Sequence, residues 1–179
     1  MRKNAYLMLP MIGLMFVACE NRKAEETANT PPAETPAPAT TPTTPPADQP
    51  MMTSPVTGEG TGSAITGQVR VLPGIDANTG FRVAVDLTNL PEGAHDWHIH
   101  QGACGTKGPI VVPITADGDK AGISQPLQAT GGTATATVDV PAATLTVDQL
   151  RSGDYSLHIH EKSDAKNHGP TIACSNLKG

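Results

Sequence analysis

Hydrophobic and polar residues alternate with a period of two along several short stretches in the C-terminal two thirds of the chain. Ile65, Gly67, Val69 and Val71 alternate with Thr66, Gln68 and Arg70, and Phe81, Val83, Val85 and Leu87 alternate with Arg82, Ala84, Asp86 and Thr88. The run Thr133-Ala134-Thr135-Ala136-Thr137-Val138-Asp139-Val140 is Thr-rich and β-branched. Successive side chains of a strand point to opposite faces, so each stretch predicts a half-buried strand. Turn chemistry punctuates them at short intervals: Pro73-Gly74, Asn78-Thr79-Gly80, Pro91-Glu92-Gly93, Asp117-Gly118, Gly131-Gly132 and Ser152-Gly153-Asp154. Residues 144–150 predict a short helix capped by Thr144 or Thr146, and no long amphipathic helical pattern occurs. Residues 64–179 therefore predict one all-β domain, an antiparallel sandwich or barrel.

The N-terminal part reads differently. Residues 1–18 carry Arg2 and Lys3 and then an apolar run too short to span a bilayer comfortably, the pattern of a secretory signal. The run ends in Phe16-Val17-Ala18-Cys19, which resembles a bacterial lipobox with Cys19 as the lipidated residue. The alternative is ordinary signal cleavage with Cys19 an incidental thiol. A lipidated Cys19 places the protein in the bacterial cell envelope, anchored to a membrane by its acyl chains and facing the periplasm or the cell surface. Residues 19–63 are rich in Pro and Thr, show no hydrophobic periodicity and predict a disordered tether without catalytic role. The formal net charge of -5 becomes -7 once Arg2 and Lys3 are cleaved off. A chain of this sign lacks the basic face that nucleic acid requires.

All six histidines fall in the β domain: His95, His98, His100, His158, His160 and His168. Four of them form two matching segments, Trp97-His98-Ile99-His100 and Leu157-His158-Ile159-His160. Residues i and i+2 of a strand share a face, so each segment presents two imidazoles on one side and two hydrophobic side chains on the other. Brought together, three or four neutral imidazoles suit copper, zinc or nickel rather than the oxygen-preferring calcium and magnesium. The competing reading is a pH-sensitive histidine face without metal. His158 shares the face of His160 and is the candidate fourth ligand. His168, in Lys166-Asn167-His168-Gly169, reads as an exposed loop histidine. With Cys19 lipidated, Cys104 and Cys174 remain as an even pair in an oxidising compartment and predict a disulfide. The alternative for Cys104 is a copper-ligating thiolate.

The segments HDWHIHQGACGTKGPI, LHIHEKSD and TIACSNLKG resemble the copper-ligand strands, the cysteines and the C-terminal run of the Cu/Zn superoxide dismutases. The resemblance implies an eight-stranded Greek-key β-barrel, one copper ion held by His98, His100 and His160, a Cys104–Cys174 bridge, and His95 supporting a ligand from outside the coordination sphere. The pattern also departs from that family. Ile110 stands in Gly108-Pro109-Ile110 where the family has its bridging histidine, and Thr171 stands where it has a guiding arginine. Zinc is not expected as a second metal, since Asp117 and Asp119 alone make a poor site. Lys107, Lys162 and Lys166 are candidates for drawing an anion toward the site. Two functions follow: a membrane-tethered copper-only dismutase acting on superoxide, which is the reading preferred here, and a non-catalytic copper-binding lipoprotein on the same barrel.

Overall fold

Ten strands, one short α-helix and a 3-10 turn at Gly60–Gly62 carry the regular structure of residues 46, 48–106 and 108–178, the part described by this computed structural model. In chain order they are β1 (Met52–Gly58), β2 (Thr66–Pro73), β3 (Thr79–Thr88), β4 (Gly93–His95), β5 (Trp97–Gln101), β6 (Ile110–Val112), β7 (Leu127–Ala129), β8 (Thr133–Pro141), α1 (Val147–Ser152), β9 (Tyr155–His160) and β10 (Thr171–Asn176). Eight strands form one sheet in the order β6-β5-β9-β10-β1-β2-β3-β8, every neighbouring pair antiparallel. A second ladder pairs β4 with β7. Since β4 runs into β5 and β7 turns into β8, this ladder joins the two ends of the large sheet into a nearly closed barrel. Three neighbouring pairs, β3 with β8, β5 with β9 and β1 with β10, lie far apart in sequence, so the sheet is not a simple meander.

The period-two stretches become β2, β3 and β8 with the expected faces inward. Val69, Val71, Phe81, Val83, Val85, Leu87, Val138 and Val140 are all buried in one core. The short helix also forms. Thr146 accepts from Gln149 N while the Gln149 side chain accepts from Thr146 N, a reciprocal cap that satisfies two otherwise unpaired amides, and Leu150 seals the barrel beneath it.

The barrel begins earlier than expected. Residues 52–58, assigned from sequence to the tether, are β1, whose Met52, Ser54 and Val56 point into the core. Pro55 disguised this strand, because proline cannot donate to a ladder. Here it lies where β1 is paired only with β2, its pairing with β10 being confined to Thr57 and Gly58. Residues 1–18, Cys19 and the tether as far as residue 45 lie outside the described residues, as does Lys107.

Cys104 and Cys174 are bridged, with Cα atoms 5.9 Å apart, so Cys104 is no metal ligand. The bridge fastens the loop after β5 to β10, and Cys104 N donates to the Asn176 side chain at 2.8 Å beside it. Closing a 70-residue loop limits the unfolded chain and is worth about 4 kcal/mol on the loop-entropy account. Replacing both cysteines with serine is expected to lower the unfolding free energy by about that amount. Urea titration of the pair of proteins checks this, and an unchanged midpoint would show that the loop is held by other contacts.

Candidate metal centre

β5 and β9 lie side by side with Trp97 opposite Ile159, His98 opposite His158, Ile99 opposite Leu157 and His100 opposite Ser156. Trp97, Ile99, Leu157 and Ile159 fill the barrel core and are fully enclosed. Alternation then places His98, His100, His158 and His160 together on the other face of the same two strands. That face is not open to water: His98, His158 and His160 are buried and His100 is half-buried, beneath the loops that follow β5 and β9.

Each of three rings is held by one nitrogen and leaves the other unengaged. His98 Nε2 lies 3.2 Å from Thr115 O and 3.1 Å from Thr115 Oγ1. His100 donates from Nδ1 to Gly108 O at 2.9 Å, and His160 from Nδ1 to Gly169 O at 3.2 Å. His98 Nδ1, His100 Nε2 and His160 Nε2 are consequently buried with no hydrogen-bond partner. One nitrogen from each of the three rings lies within 4.8 Å of the others. An ion bound at about 2.1 Å allows nitrogens at most about 4.2 Å apart, so the three rings fit one ion after a small inward shift. Fixing a ligand ring through its second nitrogen is what metal sites require for orientation and tautomer. Two of the fixing carbonyls belong to glycines for a steric reason. A Cβ on Gly108 would sit 1.6 Å from Gln101 O, and Gly169 has φ +76°.

The rings are neutral at physiological pH. Burial pushes the His98 and His158 imidazoles down to about 4 and that of His160 to about 3, with further lowering by neighbouring imidazoles, His168 foremost for His98 and His160. Burial also lowers His100. Neutral rings with free lone pairs are the form that binds a metal ion.

The remaining residues singled out from sequence lie around this centre. His158 packs on His100 with ring centroids 4.3 Å apart, but both its nitrogens are engaged, Nε2 with Ser156 Oγ at 2.9 Å and Nδ1 with Thr171 Oγ1 at 3.1 Å. His95 supports the backbone of a ligand rather than a ring: its Nδ1 lies 2.9 Å from His160 O and its Nε2 2.8 Å from Pro91 O. Ile110 opens β6 opposite His100, and Thr171 opens β10 opposite His160. His168 is not an exposed loop residue. Its ring is only 24% accessible and stands 3.9 Å from that of His160 and 5.5 Å from that of His98, centroid to centroid. The sequence reading passed over Asp96, a buried carboxylate that accepts from Ser163 Oγ and Asp164 N, each at 2.9 Å. An acid inside a strand-like His-Asp-Trp-His run was the available signal.

The arrangement can hold one transition-metal ion on three imidazoles. Among the described residues both cysteines are bridged and no thiolate competes, so the donor set is all nitrogen, the kind that suits borderline transition-metal ions.

No curated protein matches the chain. Among solved structures, the crystal structure of a point mutant of a SOD-like protein from Bacillus subtilis superposes with a TM-score of 0.55 at 17% identity, covering 71% of this chain and 97% of that one. That likeness concerns the fold and supports the β-barrel. The assignment to the Cu/Zn superoxide dismutases does not stand, because the family model that matches is that of the CHRD domain, over residues 30–165. The motifs behind the assignment, paired H-x-H strands and a cysteine near each end of the site, describe a barrel and a histidine cluster rather than a lineage. With three quarters of its length matched by that model, the chain belongs to the CHRD domain family.

Proposed function

We propose that this protein binds a single copper ion through His98, His100 and His160. The observation that carries the reading is the set of three buried, unpartnered imidazole nitrogens, each on a ring whose other nitrogen is already committed. A buried polar atom without a partner costs about 1–3 kcal/mol, and a cluster of three is stabilised when one ion takes all their lone pairs. The chain supplies the rest: Thr115, Gly108 and Gly169 set the tautomers, and the loops exclude bulk water.

A second reading, superoxide dismutation, is favoured by one feature. A cavity of about 170 Å³ opens onto His100, His158, His160 and His168, with Thr171 in its wall, and has room for a small anion. Bound copper would supply a one-electron couple, so that one superoxide is oxidised to oxygen while a second, with two protons, is reduced to hydrogen peroxide. His158 and Thr171, hydrogen-bonded to each other, give this approach a polar wall.

We also propose that the protein is exported and lipid-anchored at Cys19, with the stretch up to β1 as its tether. The Cys104–Cys174 bridge supports an oxidising compartment. No helix among the described residues is long and apolar enough to cross a membrane.

Three results are expected. The full chain takes up one equivalent of copper(II), and His160→Ala weakens it by more than about 100-fold, beyond the effect of losing an outer partner; stopped-flow superoxide decay on the same two proteins separates the two readings. A copper-loaded wild type no faster than the variant leaves the binding function alone, whereas absence of copper uptake refutes both. For the metal-free protein, folded-state values of about 4 for His98 and His158 and about 3 for His160 lie below the ordinary 6.5. Between those limits the unfolded chain holds more protons, so stability must fall as pH drops from about 6.5 toward 4. Urea midpoints at pH 7 and 5 measure this, and His160→Gln should flatten the dependence. Finally, a palmitate analogue fed to cells should label the wild type and not Cys19→Ser; equal labelling would dismiss the anchor.

A further inference from the structure

We propose that His168, carried by the loop between β9 and β10, is the fourth nitrogen ligand of the centre, with Asp96 as the positioning residue that delivers it. This rests on the reading that His98, His100 and His160 hold a metal ion.

Among the described residues, six buried side-chain nitrogen and oxygen atoms have no hydrogen-bond partner, and four of the six are imidazole nitrogens of one cluster: His98 Nδ1, His100 Nε2, His160 Nε2 and His168 Nδ1. Buried polar atoms are almost always paired, so four orphans on adjacent rings need a common explanation. His98, His100 and His160 already bring one nitrogen each within 4.8 Å of one another, and the loop-borne His168, outside that triad, joins them on one ion by moving inward. His158 does not belong to the set. It is as close to the cluster as His168, but Ser156 and Thr171 occupy both its nitrogens. The strand pattern that pointed to His158 and the hydrogen-bond pattern that points to His168 therefore disagree. The second is the better guide to coordination, because a nitrogen already hydrogen-bonded must give up that bond to bind.

The loop is built to hold this ring in place. Its first turn is pinned by Asp96, which accepts from Ser163 Oγ and Asp164 N, and Asp96 stands two residues before His98. Asn167 N donates to Asp164 O at 2.9 Å, and Gly118 N to Ala165 O at 2.7 Å. Lys162 N donates to His168 O at 3.2 Å, and Glu161 N to Pro170 O at 3.0 Å, so the loop closes on itself directly at His168. The next residue, Gly169, lends its carbonyl to His160. One short loop thus supplies a ring to the cluster and fixes the tautomer of another ring in it. The competing role for His168 is an ion pair with Asp117, whose Oδ1 lies 3.9 Å from His168 Nδ1.

The test uses full-length wild type, His168→Ala and His158→Ala, each given one equivalent of copper(II). Affinity comes from chelator competition and the number of bound nitrogens from electron paramagnetic resonance. Circular dichroism of the metal-free forms confirms that all three fold. The expected result is a four-nitrogen spectrum for the wild type, which His158→Ala preserves. His168→Ala should bind at least about tenfold more weakly with one nitrogen fewer, and added imidazole should restore the fourth. Asp96→Asn should spread the spectrum into a mixture of both forms, as loss of a positioning group would. A His168→Ala protein with wild-type affinity and spectrum overturns the inference and leaves His168 as the partner of Asp117. Failure of the wild type itself to bind copper overturns the underlying metal reading instead.

Discussion

Two strands keep a single register only when slipping them would expose buried apolar surface, and between β5 and β9 that surface is Trp97, Ile99, Leu157 and Ile159. All four are fully enclosed, and a slip of one residue would turn each of them out and bring histidines into the core. Full burial of such side chains is worth about 1.5–3 kcal/mol each, so the alignment of His98 with His158 is fixed by the core rather than by anything on the histidine face. The candidate metal centre is in this sense the reverse side of a hydrophobic contact. The imidazoles need no mutual attraction to assemble, and lowered proton affinities caused by burial show that the fold assembles them at a cost.

That cost is contained by the loops. Free imidazoles facing solvent would hydrate and reorient, but Thr115, Gly108 and Gly169 each present a carbonyl at one nitrogen and so select which lone pair faces the centre. The loop bearing Gly108 is tied to β10 through the disulfide, and the loop bearing Gly169 is tied to the start of β5 through Asp96. The two covers of the site are thus each anchored to the barrel, one to β10 and the other to the start of β5. This explains why a small protein carries a cysteine bridge next to a cluster with no thiolate chemistry of its own.

Much of the fold was legible because its signals are local. Period-two burial in β2, β3 and β8, the Thr146 cap and the twin H-x-H segments depend on residues within a few positions of each other. What escaped depends on partners distant in sequence. β1 is hidden by Pro55 and by Thr and Ser neighbours that match the tether's composition, and only pairing with β2 identifies it as a strand. His168 sits on a loop with no periodicity, so nothing local brings it to His160. Asp96 reads as one more polar residue until Ser163 and Asp164 fold onto it. The family, too, lay beyond motif reading: H-x-H pairs and two cysteines constrain a site, whereas membership is carried by the pattern of the whole of residues 30–165.

A barrel shared at 17% identity with a SOD-like protein transfers the scaffold and leaves the chemistry to the residues present. Those residues form a set of neutral nitrogens, with carboxylates nearby but outside it: Asp96 faces the loop, and Asp117 stands 3.9 Å from the nitrogen of His168. Such a set would hold a borderline ion in a neutral, largely water-excluded environment, where its charge would be compensated only at a distance. An anion small enough for the adjoining cavity would be drawn to that uncompensated charge whether or not electron transfer follows. On the proposed reading, binding an ion and attracting a small anion would be one property of this site, and catalysis would require in addition that a coordination position open. The three candidate ligands on β5 and β9 are fixed by the core, so any such opening would have to come from the loop that carries His168.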